Sequence, residues 1–230
     1  MTLIKVDKKT GLQYRPDLGE LHVIREQSQY QKLDFEGRTV MDVGANIGSF
    51  VHLAGKHGAK MIWAYEPMPP TFNLLATNVA RMANDTCDFE CNKVALIGGQ
   101  EPRVDFYLSK TYPSCHTTVP VRGREQISVE ARNFWDTLHQ NRPQILKVDI
   151  EGGEYDFMFE ETLPPYVEQV AIELHMKNEA QQELAKKLTL QFEEWHSHRK
   201  FRFNWHVTTL VLHRQKESEL GRVKEWISSL

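Results

Sequence analysis

The sequence predicts an α/β domain with a doubly wound, mostly parallel sheet whose last strand runs antiparallel. Three observations predict it. From Thr39 onward, short apolar runs alternate with amphipathic stretches, the pattern of βαβ units with helices on both faces of a parallel sheet. Gly44 and Gly48 punctuate the first of these junctions, where a strand hands over to a helix. Near the carboxyl end, the apolar runs at Phe201–Asn204 and Val207–His213 lie too close together for a crossover helix, so they are expected to run antiparallel.

Each element follows from local pattern. Thr39–Val43 reads as the first strand, and Ile47–His57 as a helix with Gly58 just beyond it as a C-cap. Met61–Tyr65 is the second strand. Pro67, Pro69 and Pro70 then open a helix reaching about Ala83, since proline is tolerated in a first helical turn. Phe89–Leu96 is the third strand and Arg103–Leu108 an additional one. Ser109–Gly123, with Pro113 and Pro120 and no helical period, reads as a long loop of the kind that often carries function. Gln144–Ile150 is the next buried strand, Gln169–Leu174 follows Pro164-Pro165, and a long amphipathic helix covers roughly Asn178–Ser197. Ahead of the sheet, alternations around Gly11 and Pro16 precede a helix-like run at Glu20–Lys32. Residues 1–36 are therefore expected to cap a single domain over 37–230.

Composition narrows the class. A chain of 230 residues suits one α/β core. Its net charge of -3 provides no overall basic field for a phosphate backbone, and the short basic runs at Arg122–Arg124 and His198–Arg202 read as solvated faces, so nucleic acid ranks second as a partner. Cys87, Cys91 and Cys115 form no even disulfide framework and lack the second ligand pair of a structural zinc site, which leaves reduced thiols. With no apolar segment of about 18 residues and no apolar core in Met1–Leu21, neither a membrane span nor secretion is signalled, and a cytoplasmic location is expected.

The first junction reads Asp42-Val43-Gly44-Ala45-Asn46-Ile47-Gly48. A glycine turn there lets backbone approach a ligand and presents amides at a helix N-terminus. Gly44 and Gly48 are not spaced as in a pyrophosphate fingerprint, so the amides suit a carboxylate and Asp42 an ammonium. About 20 residues on, Glu66 ends the second strand, where an acid can accept both ribose hydroxyls; the structural alternative is a capping group before Pro67. Asn92, Lys93 and Ala95, at the end of the third strand, are candidates for the adenine edge or simply finish a buried strand. The loop with Glu66 points to a ribonucleoside-containing ligand.

A second signature, Leu146-Lys147-Val148-Asp149-Ile150-Glu151-Gly152-Gly153-Glu154, sets three carboxylates around the end of the fourth parallel strand. Strand alternation puts Lys147, Asp149 and Glu151 on one side until the turn begins. These motifs, in order with Glu66-Pro67 and Ile172-Glu173-Leu174-His175, resemble the FkbM family of S-adenosylmethionine-dependent methyltransferases over roughly Thr39–His175. The resemblance implies a seven-stranded Rossmann-like methyltransferase fold. It also implies the methyl donor S-adenosyl-L-methionine at Asp42, Gly44, Ala45, Asn46, Gly48 and Glu66, and an acceptor hydroxyl, often on a sugar or natural product.

Methyl transfer from a sulfonium needs an aligned acceptor and a route for its proton. Asp149 at its strand end is the candidate aligning or basic group, with Glu151 assisting. Glu173 and His175 share a strand face, so Asp149, Glu173 and His175 also form a candidate divalent-cation set; a single histidine at a strand end is more often hydrogen-bonded scaffolding. His175 without metal and His116, on the long loop with Ser114-Cys115-His116-Thr117-Thr118, are the other candidate bases. The competing functions are a ribose or base methyltransferase acting on nucleic acid and a non-catalytic nucleoside-binding module.

Overall fold

The computed structural model describes residues 3–82, 87–109, 122–192, 195–197 and 207–215. A short hairpin, β1 (Lys5–Val6) and β2 (Gln13–Tyr14), leads through Gly19 into α1 (Glu20–Glu26), which tightens into a 3₁₀ turn over Gln27–Tyr30. There follow β3 (Thr39–Val43), α2 (Ser49–Lys56), β4 (Met61–Tyr65), α3 (Pro69–Met82), β5 (Asp88–Asn92), β6 (Ala95–Ile97) and β7 (Arg103–Tyr107). The chain continues with β8 (Gln126–Asn133), α4 (Phe134–Asn141), β9 (Ile145–Val148), β10 (Gln169–His175), α5 (Glu179–Leu190), β11 (Trp195–Ser197) and β12 (Val207–Arg214).

The main sheet has seven strands in the order β11-β12-β10-β9-β3-β4-β5. Neighbours from β10 to β5 are parallel, whereas β12 pairs antiparallel with both β10 and β11. Both faces of the parallel part are covered, as such sheets require. Val40, Ile62, Ile145 and Ala171 face one core with Phe50 and Leu75, while Met41, Leu146, Val148 and Ile172 face the other with Phe134 and Phe157. Strand order reverses at β3, with β4 and β5 on one side and β9 and β10 on the other. An open α/β sheet forms its ligand crevice at the carboxyl ends beside such a reversal.

Four features differ from expectation. The run expected to be one strand over Phe89–Leu96 is broken after Asn92, and β6 joins a separate sheet ordered β6-β8-β7. Its partner β8 and the helix α4 were not anticipated, although Ile127, Val129 and Ala131 alternate and the Asn133 side chain accepts the Asp136 amide as an N-cap. Helix α5 ends at Leu190 rather than Ser197: Trp195 turns away to lie in β11, where the Arg214 guanidinium covers its ring at 4.4 Å. That strand pairs antiparallel with β12; the run expected at 201–204 lies outside the described residues. No helix among the described residues is long and apolar enough to cross a membrane.

Candidate active site

The glycine turn is fixed by the strands beside it. Gly44 takes φ +82°, and a Cβ there would stand 1.9 Å from the carbonyl oxygen of Asp149, so only glycine lets the end of β3 pass the end of β9. The Gly44 and Ala45 amides both donate to the Tyr65 carbonyl, at 3.0 and 2.9 Å, and the Asn46 amide donates to Glu66 Oε2 at 3.0 Å. Gly48 caps α2 in the left-handed region, with a Cβ position 2.9 Å from Leu75 Cδ1. Its glycine thus answers to helix packing.

A cavity of about 430 Å³ opens where the strand order reverses. Gly44, Ala45, Asn46, Glu66 and Ala95 line it together with Asp149, Glu151 and Glu173. Four expected ligand residues, Asp42, Gly48, Asn92 and Lys93, stand back from it. The Asn92 side chain instead donates to Glu90 at 3.1 Å and accepts from Arg132 at 3.3 Å, because the strand breaks immediately after it; its carbonyl accepts the Glu66 amide. Asp42 and Gly48 sit behind the lining, Asp42 fully buried.

Glu66 spans the turn: Oε1 accepts the Met68 amide at 2.9 Å while Oε2 accepts that of Asn46. Burial is the larger influence and pushes its carboxyl up to about 7, against those two donors. Each oxygen has a second lone pair, and Glu66 lines the cavity, which suits a pair of vicinal hydroxyls. On the far wall Val94, Leu96, Ile97 and Phe106 supply an apolar surface that sequence reasoning did not assign.

Adjacent strands bring the second signature together. Asp42 pairs in register with Lys147, so both project from the same sheet face, and alternation places Asp149, Glu173 and His175 on that face too. Lys147 Nζ lies 3.1 Å from Asp42 Oδ1 and 3.5 Å from Asp149 Oδ2, and donates to the Gly44 carbonyl at 2.8 Å. Burial lowers the Lys147 pKa, but Asp42 and Asp149 outweigh it and hold the ammonium at about 12. For Asp42 itself, burial raises the carboxyl against the pull of Lys147.

Glu173, half-buried and facing Asp149, is pushed up to about 8 by desolvation first and by that carboxylate second. Ligand atoms of Asp149, Glu173 and His175 all lie within 4.8 Å of one another. His175 is not part of the cavity lining. Its backbone amide donates to Glu154 Oε1 at 2.7 Å, its Nδ1 lies 3.3 Å from the same oxygen, and its Nε2 lies 3.6 Å from Glu151. Burial alone would lower the imidazole pKa; the Glu154 hydrogen bond and the surrounding carboxylates raise it to about 9 instead. Those carboxylates favour the protonated ring, the form that balances their charge. Glu154, fully buried, ties the Gly152 amide and His175 together. Glu151 holds φ +59°, a conformation non-glycine residues adopt mainly where surroundings enforce it, and is met by Lys177 Nζ at 3.1 Å.

The amino-terminal segment contributes a wall that sequence reasoning missed: His22, Val23, Glu26, Gln27 and Tyr30 all reach the cavity. Their spacing follows one helix face, the signal that can reveal them once α1 is known to lie over the crevice. His116 and its loop lie outside the described residues.

Fold and site together define a Rossmann-like protein of the methyltransferase type: a seven-stranded, mostly parallel sheet with an antiparallel end strand and one cavity at the reversal of strand order. The chain belongs to the FkbM methyltransferase family, since the model of the methyltransferase FkbM domain matches residues 42–203, more than half of its length. No curated protein matches it at a significant level. Among solved structures, it is similar to an Aeropyrum pernix fibrillarin with natively bound S-adenosyl-L-methionine (11% identity, 92% of this chain and 82% of that one, TM-score 0.42). It is also similar to a Geobacter metallireducens precorrin-6y C5,15-methyltransferase (9%, 93% and 100%, 0.45) and to M. jannaschii TYW2 in complex with AdoMet (13%, 94% and 88%, 0.40).

Proposed function

We propose that the chain transfers a methyl group from S-adenosyl-L-methionine to a hydroxyl on a sugar, glycan or natural product. The observation that carries this reading is a single cavity shared by the glycine turn, Glu66 and the Asp149–Glu173 carboxylates. The residues present fit the donor: a buried carboxylate with free lone pairs for ribose hydroxyls, an apolar wall at Val94–Ile97 for a purine, and the loop carbonyl of Gly44 beside the Lys147–Asp42 pair. Residues 1–36 act as a cap over the site and 37–230 as the catalytic domain.

The donor supplies an electrophilic methyl on a sulfonium. Glu66 holds the ribose, and Gly44 to Asn46 line the methionine arm. Asp149 accepts the acceptor's hydroxyl proton as the new O–CH₃ bond forms and the S–CH₃ bond breaks, its electron pair returning to sulfur. Lys147 Nζ, 3.5 Å from Asp149 Oδ2, aims that carboxyl group. Glu151, held by Lys177, backs the acceptor. The acidic side chains of Asp149 and Glu151 at this end of the cavity disfavour a phosphate backbone, which supports a neutral hydroxyl acceptor over nucleic acid. Isotope transfer from labelled donor into an extract of the source cell, with mass analysis of the product, tests the reading. Label recovered only in RNA or DNA contradicts it.

A second reading is favoured by the Asp149–Glu173–His175 cluster: a divalent cation there lowers the acceptor's pKa. It predicts at least about a tenfold loss of rate with chelator, restored by magnesium or manganese. Rates indifferent to both leave Asp149 acting alone.

Glu66 gives a pH prediction. Donor affinity is expected to rise as pH passes through about 7, where the carboxyl ionises and becomes a full acceptor for the ribose, and Glu66→Gln flattens that rise. Calorimetry across this range checks it; an unchanged profile in the variant removes the ribose role. Stability of the free protein runs the other way. Both Glu66 and Glu173 have folded values raised above the ordinary 4.5, so the protonated form is the one the fold favours. Their contribution is complete below about 4.5 and is lost as pH climbs through about 7 to 8. Glu173→Gln should reduce that loss in thermal melts.

A further inference from the structure

A second, smaller pocket of about 190 Å³ runs along α2 and is bounded by Lys9, Arg25, His52, Lys56 and His57, with no aspartate or glutamate in its lining. Ser49, His52, Leu53 and Lys56 contribute one face of that helix. Arg25 is spoken for, since Asp7 receives both its terminal nitrogens at 2.6 and 3.2 Å. Lys9 and Lys56 make no ion pair among the described residues. Burial lowers the pKa of His52 and Lys56 lowers it further, while Asp7 raises it.

Ser49 is the second observation. It is 2% exposed, its Oγ has no hydrogen-bond partner, and it lines both this pocket and the larger cavity. A buried hydroxyl left without a partner costs about 1–3 kcal/mol, so a partner from outside the chain is the physical explanation of its retention. The volume is below the roughly 300 Å³ of ordinary small-molecule sites, which limits the occupant to a carboxylate or a phosphate-sized group.

We propose that this pocket is an oxyanion site abutting the main cavity, in which Ser49 Oγ donates to a carboxylate or phosphate-sized anion that Lys9 and Lys56 neutralise. Two sources share that chemistry: the carboxylate of the donor's own methionine arm, which rests on the reading of the main cavity given above, and a free anion such as inorganic phosphate.

The test uses the full chain, the variants Lys9→Met/Lys56→Met and Ser49→Ala, and two nucleosides. S-adenosylhomocysteine carries the carboxylate; 5′-methylthioadenosine lacks it. If the donor's carboxylate is the occupant, both variants weaken S-adenosylhomocysteine by about threefold or more while 5′-methylthioadenosine binds as before. If a free anion is the occupant, both nucleosides bind unchanged, and phosphate raises the melting temperature of the natural protein above that in chloride of equal ionic strength but fails to do so in the variants. The variant sites keep the fold, because both lysines are exposed and Ser49→Ala removes an unsatisfied hydroxyl. Unchanged nucleoside affinity together with an unchanged phosphate response in the variants overturns the proposal. Should the natural protein bind neither nucleoside, the donor reading fails, and the phosphate comparison alone decides the pocket.

Discussion

Asp149→Asn is expected to lower kcat by about 10²-fold or more while leaving donor affinity within about threefold of the natural protein. The amide retains the size of the carboxylate but cannot take the acceptor's proton. Position matters as well as charge: Asp149 follows β9 directly, its amide donating to the Val43 carbonyl at 3.0 Å, so its carboxylate is held at the crevice by the ladder itself. Loss of the charge is tolerable to the fold, because Lys147 keeps Asp42 at 3.1 Å and Asp149 is partly exposed. Single-turnover rates and donor titrations separate the two effects. Full activity in the variant would exclude Asp149 as the aligning and basic group.

Gly44→Ala should be the most damaging single substitution in the loop, costing about 3 kcal/mol or more and lowering the melting temperature by roughly 10 °C. A methyl at that position meets the Asp149 carbonyl oxygen at 1.9 Å and the side chain of Ile150 at 3.1 Å, and it must do so at φ +82°. Neither obstacle is a flexible side-chain end that can swing aside at small cost. To relieve the clash β3 and β9 must part, which draws the Gly44 and Ala45 amides from the Tyr65 carbonyl and displaces Asn46 from Glu66. Donor binding is therefore expected to fall with stability. A melting temperature equal to that of the natural protein contradicts this account of the turn.

The turn also marks where sequence reasoning reached its limit. The bounds of β3 and β4 follow from their apolar runs, and the Gly44–Asn46 turn and Glu66 were placed at the crevice by spacing alone. One reason for Gly44 was not readable: the backbone of Asp149, more than a hundred residues away in sequence, occupies the space a Cβ would need. The overrun of α5 has a comparable cause. Leu188, Phe192 and Trp195 are all buried at helical spacing, so the apolar period continues while the backbone turns into β11. Likewise β8 and α4 carry ordinary local signals, the alternation at Ile127–Ala131 and the Asn133 cap, but lie between the expected loop Ser109–Gly123 and the strand at Gln144–Ile150, where no element was assigned. The wall supplied by His22, Glu26 and Tyr30 depends on where α1 docks, which no local pattern encodes.

For the site, residue types were legible and their states were not. Asp149, Glu173 and His175 were expected to face one another and do. What the sequence could not convey is that Glu154 reaches back to the His175 amide and ring, so that a buried carboxylate holds the histidine.

The central claim is that the cavity at the reversal of strand order binds S-adenosyl-L-methionine through Glu66. Calorimetric titration of the natural chain and of Glu66→Ala with that donor tests it most directly. The account predicts saturable binding to the natural protein and a loss of about 30-fold or more in the variant, the equivalent of about 2 kcal/mol from the two ribose hydrogen bonds to one carboxylate. Absence of binding to the natural protein, or equal affinity in the variant, contradicts it.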